Sequence, residues 1–143
     1  MKISEKGLGL IKYYEQLRLE AYMPTPHDVP TIGYGHTKGV KMGDTCTKEQ
    51  ALLWLDEDCD FAEVAVNGVG VELTQDQFDA LVSLVFNIGS GNFASSTIRK
   101  LLRTGDFTRA AGQFQRWNKQ KGKVLNGLTA RRAKERALFK SEP

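Results

Sequence analysis

Cysteine is nearly absent from this chain of 143 residues, with Cys46 and Cys59 the only two. Two thiols cannot build a disulfide framework, and no CxxC or Cys/His zinc spacing accompanies them, so they read as buried or idle thiols. Histidine is equally sparse, at His27 and His36. Long apolar runs are missing too. No segment approaches the about 20 residues that a membrane span needs. The N-terminal stretch MKISEKGLGLIKYYEQ lacks the apolar core of a secretion signal. The expectation is a chain made and folded in a cytosol. With 41% apolar residues, it suits one compact domain able to bury a core without metal or disulfide staples.

Charge is sparse in net terms, at +3, but unevenly placed. Residues 1–94 hold 7 Lys/Arg against 14 Asp/Glu, whereas residues 95–143 hold 13 against 3. The last third therefore offers a basic surface to a polyanion, whether nucleic acid or an anionic wall polymer. Solvated helix faces would give the same count.

Helix signals dominate. Thr47-Lys48-Glu49-Gln50 and Thr74-Gln75-Asp76-Gln77 match the capping box, in which Thr and Gln side chains satisfy amides at a helix start. The first is predicted to open a helix over about 47–66, with Leu52, Leu55, Cys59, Ala62 and Val66 as one stripe and Asn67-Gly68 as its stop. The second, through Phe78, Leu81, Val82, Val85 and Phe86 to Gly89, is predicted to be the buried central helix. Further helices are expected over about 4–14, 95–104, 106–119 and 129–140. Trp54 and Trp117 read as core aromatics.

Proline is scarce as well, four in the chain, yet Pro24, Pro26 and Pro30 stand together inside EAYMPTPHDVPTIGYGHT, residues 20–37. Leu17, Leu19 and Ala21 alternate with polar neighbours before this stretch, and Thr31 to Tyr34 resume the strand pattern after it, which is how a small hairpin reads. The prolines fix φ and bias their predecessors toward extended geometry, so the loop should be stiff. Gly33 and Gly35 should leave the returning strand's backbone open to a flat polymer. A helix thus delivers Glu15 to the edge of a sheet. Flanked by Tyr13, Tyr14, Leu17 and Leu19, such an acid can lose solvent and keep its proton, as a general acid must. A glycosidic bond then needs a second group on the opposite face of the sugar, and the loop offers Asp28 and Thr31.

The run Glu15-Gln16-Leu17-Arg18-Leu19-Glu20-Ala21-Tyr22 followed by Thr31-Ile32-Gly33-Tyr34-Gly35-His36-Thr37 resembles the signature of phage-type lysozymes, the endolysins of glycoside hydrolase family 24. The resemblance extends over nearly the whole chain: Gln77 to Leu81 with Phe86 to Gly89, Ser95-Ser96-Thr97, Arg116-Trp117, and Gly127 to Arg136. It implies an α+β, mostly α-helical, lysozyme-like domain over 1–143. Lobes of about 1–46 and 67–143 would be joined by a helix of about 47–66, with a cleft between them. It also implies hydrolysis of the β-1,4 bond from N-acetylmuramic acid to N-acetylglucosamine in peptidoglycan, by a monomer without metal or other cofactor and without a nucleic-acid partner. Glu15 takes the place of the proton donor and Thr31 that of the threonine holding the attacking water. Arg132, with Arg131 adjacent, falls where an arginine pairs with the catalytic glutamate. Tyr22, Tyr34, Gly35, His36, Phe93 and Ser96 are the candidate substrate contacts, the aromatics as stacking faces for sugars. His36 could instead be a satisfied histidine at a strand end.

The chain departs from that family in its loop. The family's pattern is Glu, eight residues, Asp or Cys, five residues, Thr; here Pro24 stands at the second position and Thr31 arrives one residue late. Asp28 is the loop's one carboxylate. Either it has taken over the second catalytic role, across from Glu15 at about 6.5–9.5 Å, or it faces solvent and Thr31 is the sensitive position. Two other functions stay open: a lytic transglycosylase acting on the same bond, and a non-enzymatic binder using the basic third. In the lysozyme reading the protein waits in the host cytoplasm until a separate membrane-permeabilising partner, a holin, releases it to the periplasm and cell wall.

Overall fold

A computed structural model describes residues 1–141. The described chain falls into two compact units, one of residues 9–60 and one of residues 1–8 with 61 onward.

The smaller unit holds most of helix α1 (Glu5–Glu15), strands β1 (Arg18–Tyr22) and β2 (Thr31–Gly33), and helix α2 (Lys48–Asp58). The strands pair antiparallel, Arg18 opposite Gly33 and Tyr22 opposite Thr31, with a shift in register between. Ala21 and all three residues of β2 are buried, whereas Leu19 is 48% exposed. Alternation therefore holds only at the end of β1. Beyond β2 the chain folds back at once, Ile32 and His36 exchanging backbone hydrogen bonds of 2.9 and 2.8 Å. Gly33 and Gly35 make that return possible with φ of +66° and +78°. α2 starts where the capping signal places it, Thr47 Oγ1 accepting from Gln50 N at 3.1 Å. It covers β2: a Cβ on Gly33 would meet that of Ala51 at 3.2 Å, so Gly33 is open to a helix and not to a polymer.

The larger unit contains α3 (Asp60–Asn67), α4 (Gln75–Ile88), α5 (Ser90–Ala94), α6 (Thr97–Arg103), α7 (Phe107–Gln113) with a 3₁₀ turn (Phe114–Arg116), a hairpin of β3 (Lys119–Gln120) and β4 (Lys123–Val124), and α8 (Asn126–Lys140). α4 is the buried central helix expected of it. Its capping box is complete, and every residue from Phe78 to Val85 is buried. Phe93, Ile98, Leu102, Phe114 and Phe139 close the same core. Ser4 N and Oγ both donate to Asp79, fastening the start of α1 to α4.

Two expectations are corrected. The helix over 47–66 is two helices, interrupted at Cys59. α2 ends on three acids, Asp56-Glu57-Asp58, which oppose the negative end of a helix, whereas Asp60 suits the start of the next. The helix over 106–119 stops at Gln113, and the Lys-rich segment after Trp117 turns into a hairpin, with Lys121 and Gly122 both at positive φ.

Candidate active site

Glu15 is the last residue of α1, and its direction is fixed by Gln16. That residue takes φ +57°, a left-handed conformation that few non-glycine residues adopt, and its N–H bonds to Lys12 O at 2.9 Å. The helix is closed there and the chain leaves at once into β1. Glu15 is half-buried, and its carboxylate lies against Gly35: a Cβ at residue 35 would collide with Oε1 and stand 3.1 Å from Cδ. Gly35 is thus a seat for the Glu15 carboxylate, not a bare stretch for substrate. The shielding expected from neighbours is only partial, since Tyr13 is 71% exposed and Leu19 also faces outward.

Gly35→Ala is expected to act twice. The new methyl displaces the carboxylate, and positive φ costs a non-glycine residue about 1–2 kcal/mol. Lytic activity should fall by at least tenfold with a lowered melting temperature; equal activity in a turbidity assay would show that the carboxylate's seat is unimportant.

The loop between the strands divides its two candidates. Thr31 is buried, and its hydroxyl donates to Val29 O at 3.0 Å, which leaves the oxygen's lone pairs to accept. Asp28 is exposed. Its Oδ1 accepts from Val29 N at 2.8 Å and its own N–H bonds to Thr25 O at 3.1 Å, a turn aspartate holding its own loop. His27 is exposed beside it.

His36 is 5% exposed, and its Nδ1 lies 2.7 Å from Asp58 Oδ2. A carboxylate only accepts, so Nδ1 bears the proton. The imidazole also stacks on Trp54, centroids 4.4 Å apart and planes 4° from parallel. One ring face and one ring nitrogen are therefore engaged in fastening the 33–36 return to α2, as a satisfied histidine would be. Asp58→Ala leaves a buried donor unpaired and should cost about 1–3 kcal/mol of stability, measurable by thermal denaturation; an unchanged melting curve would refute this. Tyr34 is buried, and Tyr22 has the Arg18 guanidinium 4.1 Å above its ring, so one stacking face is taken.

In the larger unit, Phe93 is 1% exposed and belongs to the helical core, which corrects its assignment as a sugar platform: α5 is short and buries its one phenyl ring to hold itself in place. Ser96 caps α6, accepting from Arg99 N at 3.1 Å and donating to Phe93 O at 2.7 Å. It also lines a 290 Å³ cavity with Asn92, Gln113, Arg116 and Trp117. Arg132 is fully buried, Nε 2.6 Å from Glu135 Oε1 and Nη1 donating to Asn87 Oδ1 at 2.9 Å. Arg131 reaches Glu135 Oε2 at 3.3 Å, and Ser83 Oγ donates to the same oxygen at 2.5 Å. Burial pushes the Glu135 carboxyl up, against the pull of Arg132, Arg131 and Ser83. Cys59 is buried, and Cys46 is half-buried with its thiol pushed up by desolvation, against a bond to the Gly33 backbone.

Residues 12–135 match the family described as phage lysozyme. The chain belongs to the phage lysozyme family. It is 49% identical over 146 residues to the endolysin of Acyrthosiphon pisum secondary endosymbiont phage 1, with 99% of each chain covered. The endolysin of Bacillus phage B103 is 44% identical over 142 residues, which are 97% of this chain and 54% of that one, so the chain spans about half of that relative. Among solved structures, the muramidase domain of SpmX from Asticaccaulis excentricus superposes with a TM-score of 0.91 at 40% identity, over 99% of both chains. The lysozyme-like, mostly helical α+β class expected from the sequence is thereby established.

Sequence reasoning about this phage lysozyme missed Asp58, Trp54 and Gln16 as supports of the site. Asp58 and Trp54 had a visible signal, since they lie four residues apart and thus on one helix face. Nothing local marks Gln16, because a left-handed helix end is usually signalled by glycine or asparagine and here falls on glutamine.

Proposed function

We propose that this phage lysozyme is an endolysin that hydrolyses the β-1,4 bond between N-acetylmuramic acid and N-acetylglucosamine. The observation that carries the reading is the Glu15 carboxylate at the closed end of α1, held against Gly35. A protonated Glu15 gives its proton to the bridging oxygen as the bond to C1 of the muramic sugar breaks. The Thr31 hydroxyl is already donating to Val29 O, so a water at Thr31 has to donate to it. That turns the water's lone pairs away from Thr31 and toward the electron-poor C1; the proton the water loses as the C1–O bond forms passes to bulk solvent, from which Glu15 is reprotonated for the next cut. Within the smaller unit Tyr22 is the remaining candidate for sugar contact, while Arg131 and Arg132 are paired with Glu135 in the larger unit.

Asp28, turned to solvent, supports a second reading, in which no second carboxylate assists and the muramic sugar's own hydroxyl attacks as in a lytic transglycosylase. Mass spectrometry of digested peptidoglycan tests both. Free reducing ends are expected; anhydro-muramyl ends would replace hydrolysis with transglycosylation. A chain that only binds the wall would release neither product. No helix among the described residues is long and apolar enough to cross a membrane. Release by a holin stays part of the proposal, and co-expression with and without such a partner tests it by the timing of lysis.

A further inference from the structure

Three arginines of α8 differ in what they meet. Arg131 and Arg132 end on Glu135 and its neighbours, but Arg136 has a buried Nε with no hydrogen-bond partner among the described residues. That Nε is closed to solvent, so a ligand beside this side chain would be met by the outer nitrogens of its guanidinium. Arg136 lines a 350 Å³ cavity together with Lys140, and the apolar rings of Phe107 and Phe139 form part of its wall. No acidic side chain lines this cavity among the described residues. Its other polar groups are mostly committed. Thr74 and Gln77 are bonded to each other in the capping box of α4, and Ser141 Oγ donates to Asp76 Oδ2 at 2.6 Å. Asp76 itself does not line the cavity and faces Lys6 at 3.2 Å. Among the described residues, the uncommitted groups are two cations and the exposed Thr108 hydroxyl, next to aromatic carbon.

We infer that this cavity is an anion-binding site outside the catalytic residues, taking a single phosphate or carboxylate borne on a short stem. Arg136 offers a planar fork of donors suited to either anion, and Lys140 adds a mobile charge at the mouth. The volume lies at the small end of small-molecule sites, so it fits one monomer unit and not a glycan strand. The endolysin reading of the protein, on which this step rests, narrows the sources to two: a phosphodiester of a polyol-phosphate wall polymer, or the terminal carboxylate of a peptidoglycan stem peptide. Either would hold the enzyme on the wall between cuts.

Neither probe needed for the test contains a glycosidic bond, so the outcome is independent of whether the protein is a hydrolase. The full chain is titrated with glycerol phosphate oligomer and, separately, with acetyl-D-alanyl-D-alanine, following the Arg136 Nε–H and the Phe107 and Phe139 ring signals by NMR. Saturable shifts of these signals with either probe are expected, and the tighter one names the source. Arg136→Gln should weaken binding roughly tenfold, the loss typical of one charge-assisted hydrogen bond. Thr108→Glu, which places a carboxylate at the rim without touching Arg136, should weaken it comparably and decides the matter if the arginine variant does not fold. The inference is overturned if neither probe moves the Arg136 signal, if shifts map instead to Lys119, Lys121 and Lys123, or if a folded Thr108→Glu protein binds as tightly as wild type.

Discussion

Glu15→Gln is expected to abolish nearly all lytic activity, by about two to four orders of magnitude, the span that general acid catalysis contributes. The amide has the same shape, so it fits against Gly35 where the carboxylate did. It cannot give up a proton to a leaving oxygen. Because a functional acid held against backbone is kept at some cost to the fold, thermal stability should be equal or higher. The two readouts belong together: lost lysis with an intact melting transition isolates the chemistry from the fold. Retained clearing of cells by the purified variant would end the lysozyme mechanism for this chain, whatever its family.

The second large effect is expected at Thr31 and not at Asp28. Thr31→Val keeps the side chain's outline and removes the hydroxyl, so a water at that position loses its acceptor; activity should drop about a hundredfold, at the lower end of what positioned proton transfer supplies. The stability cost should be small, about 0.5–1.5 kcal/mol, since only the bond to Val29 O is lost. Asp28→Asn should cost several-fold at most. An asparagine Oδ1 can accept from Val29 N just as the aspartate does, so the exposed loop keeps its turn. Steady-state rates on purified peptidoglycan for both variants decide between the two readings of this loop. A loss of two or more orders at Asp28 with a mild change at Thr31 would restore Asp28 as the general base.

Much of the fold is legible in the sequence. The capping box at Thr74, the apolar residues from Phe78 to Phe86 and the glycine after Ile88 specify α4 almost to the residue, because caps and helical period are local physics. The hairpin is legible from the strand-like residues on either side of the three prolines, although alternation itself holds only at the end of β1. Ordered motifs along the chain were sufficient to indicate the family, which residues 12–135 match. What the sequence could not determine is which neighbour each side chain meets. Phe93 has the same apolar surface in a core as on a sugar platform, and only the packing of α5 sends it inward. Ser96 reads equally as a ligand contact or a cap. Gly35 reads as an open backbone until the end of α1 brings the Glu15 carboxylate against it, a contact between residues twenty apart that no period encodes. Asp28 could have been aimed at substrate or at its own loop; the Val29 amide, one residue away, satisfies it first, and that competition between a near partner and a far one is settled only in the folded loop.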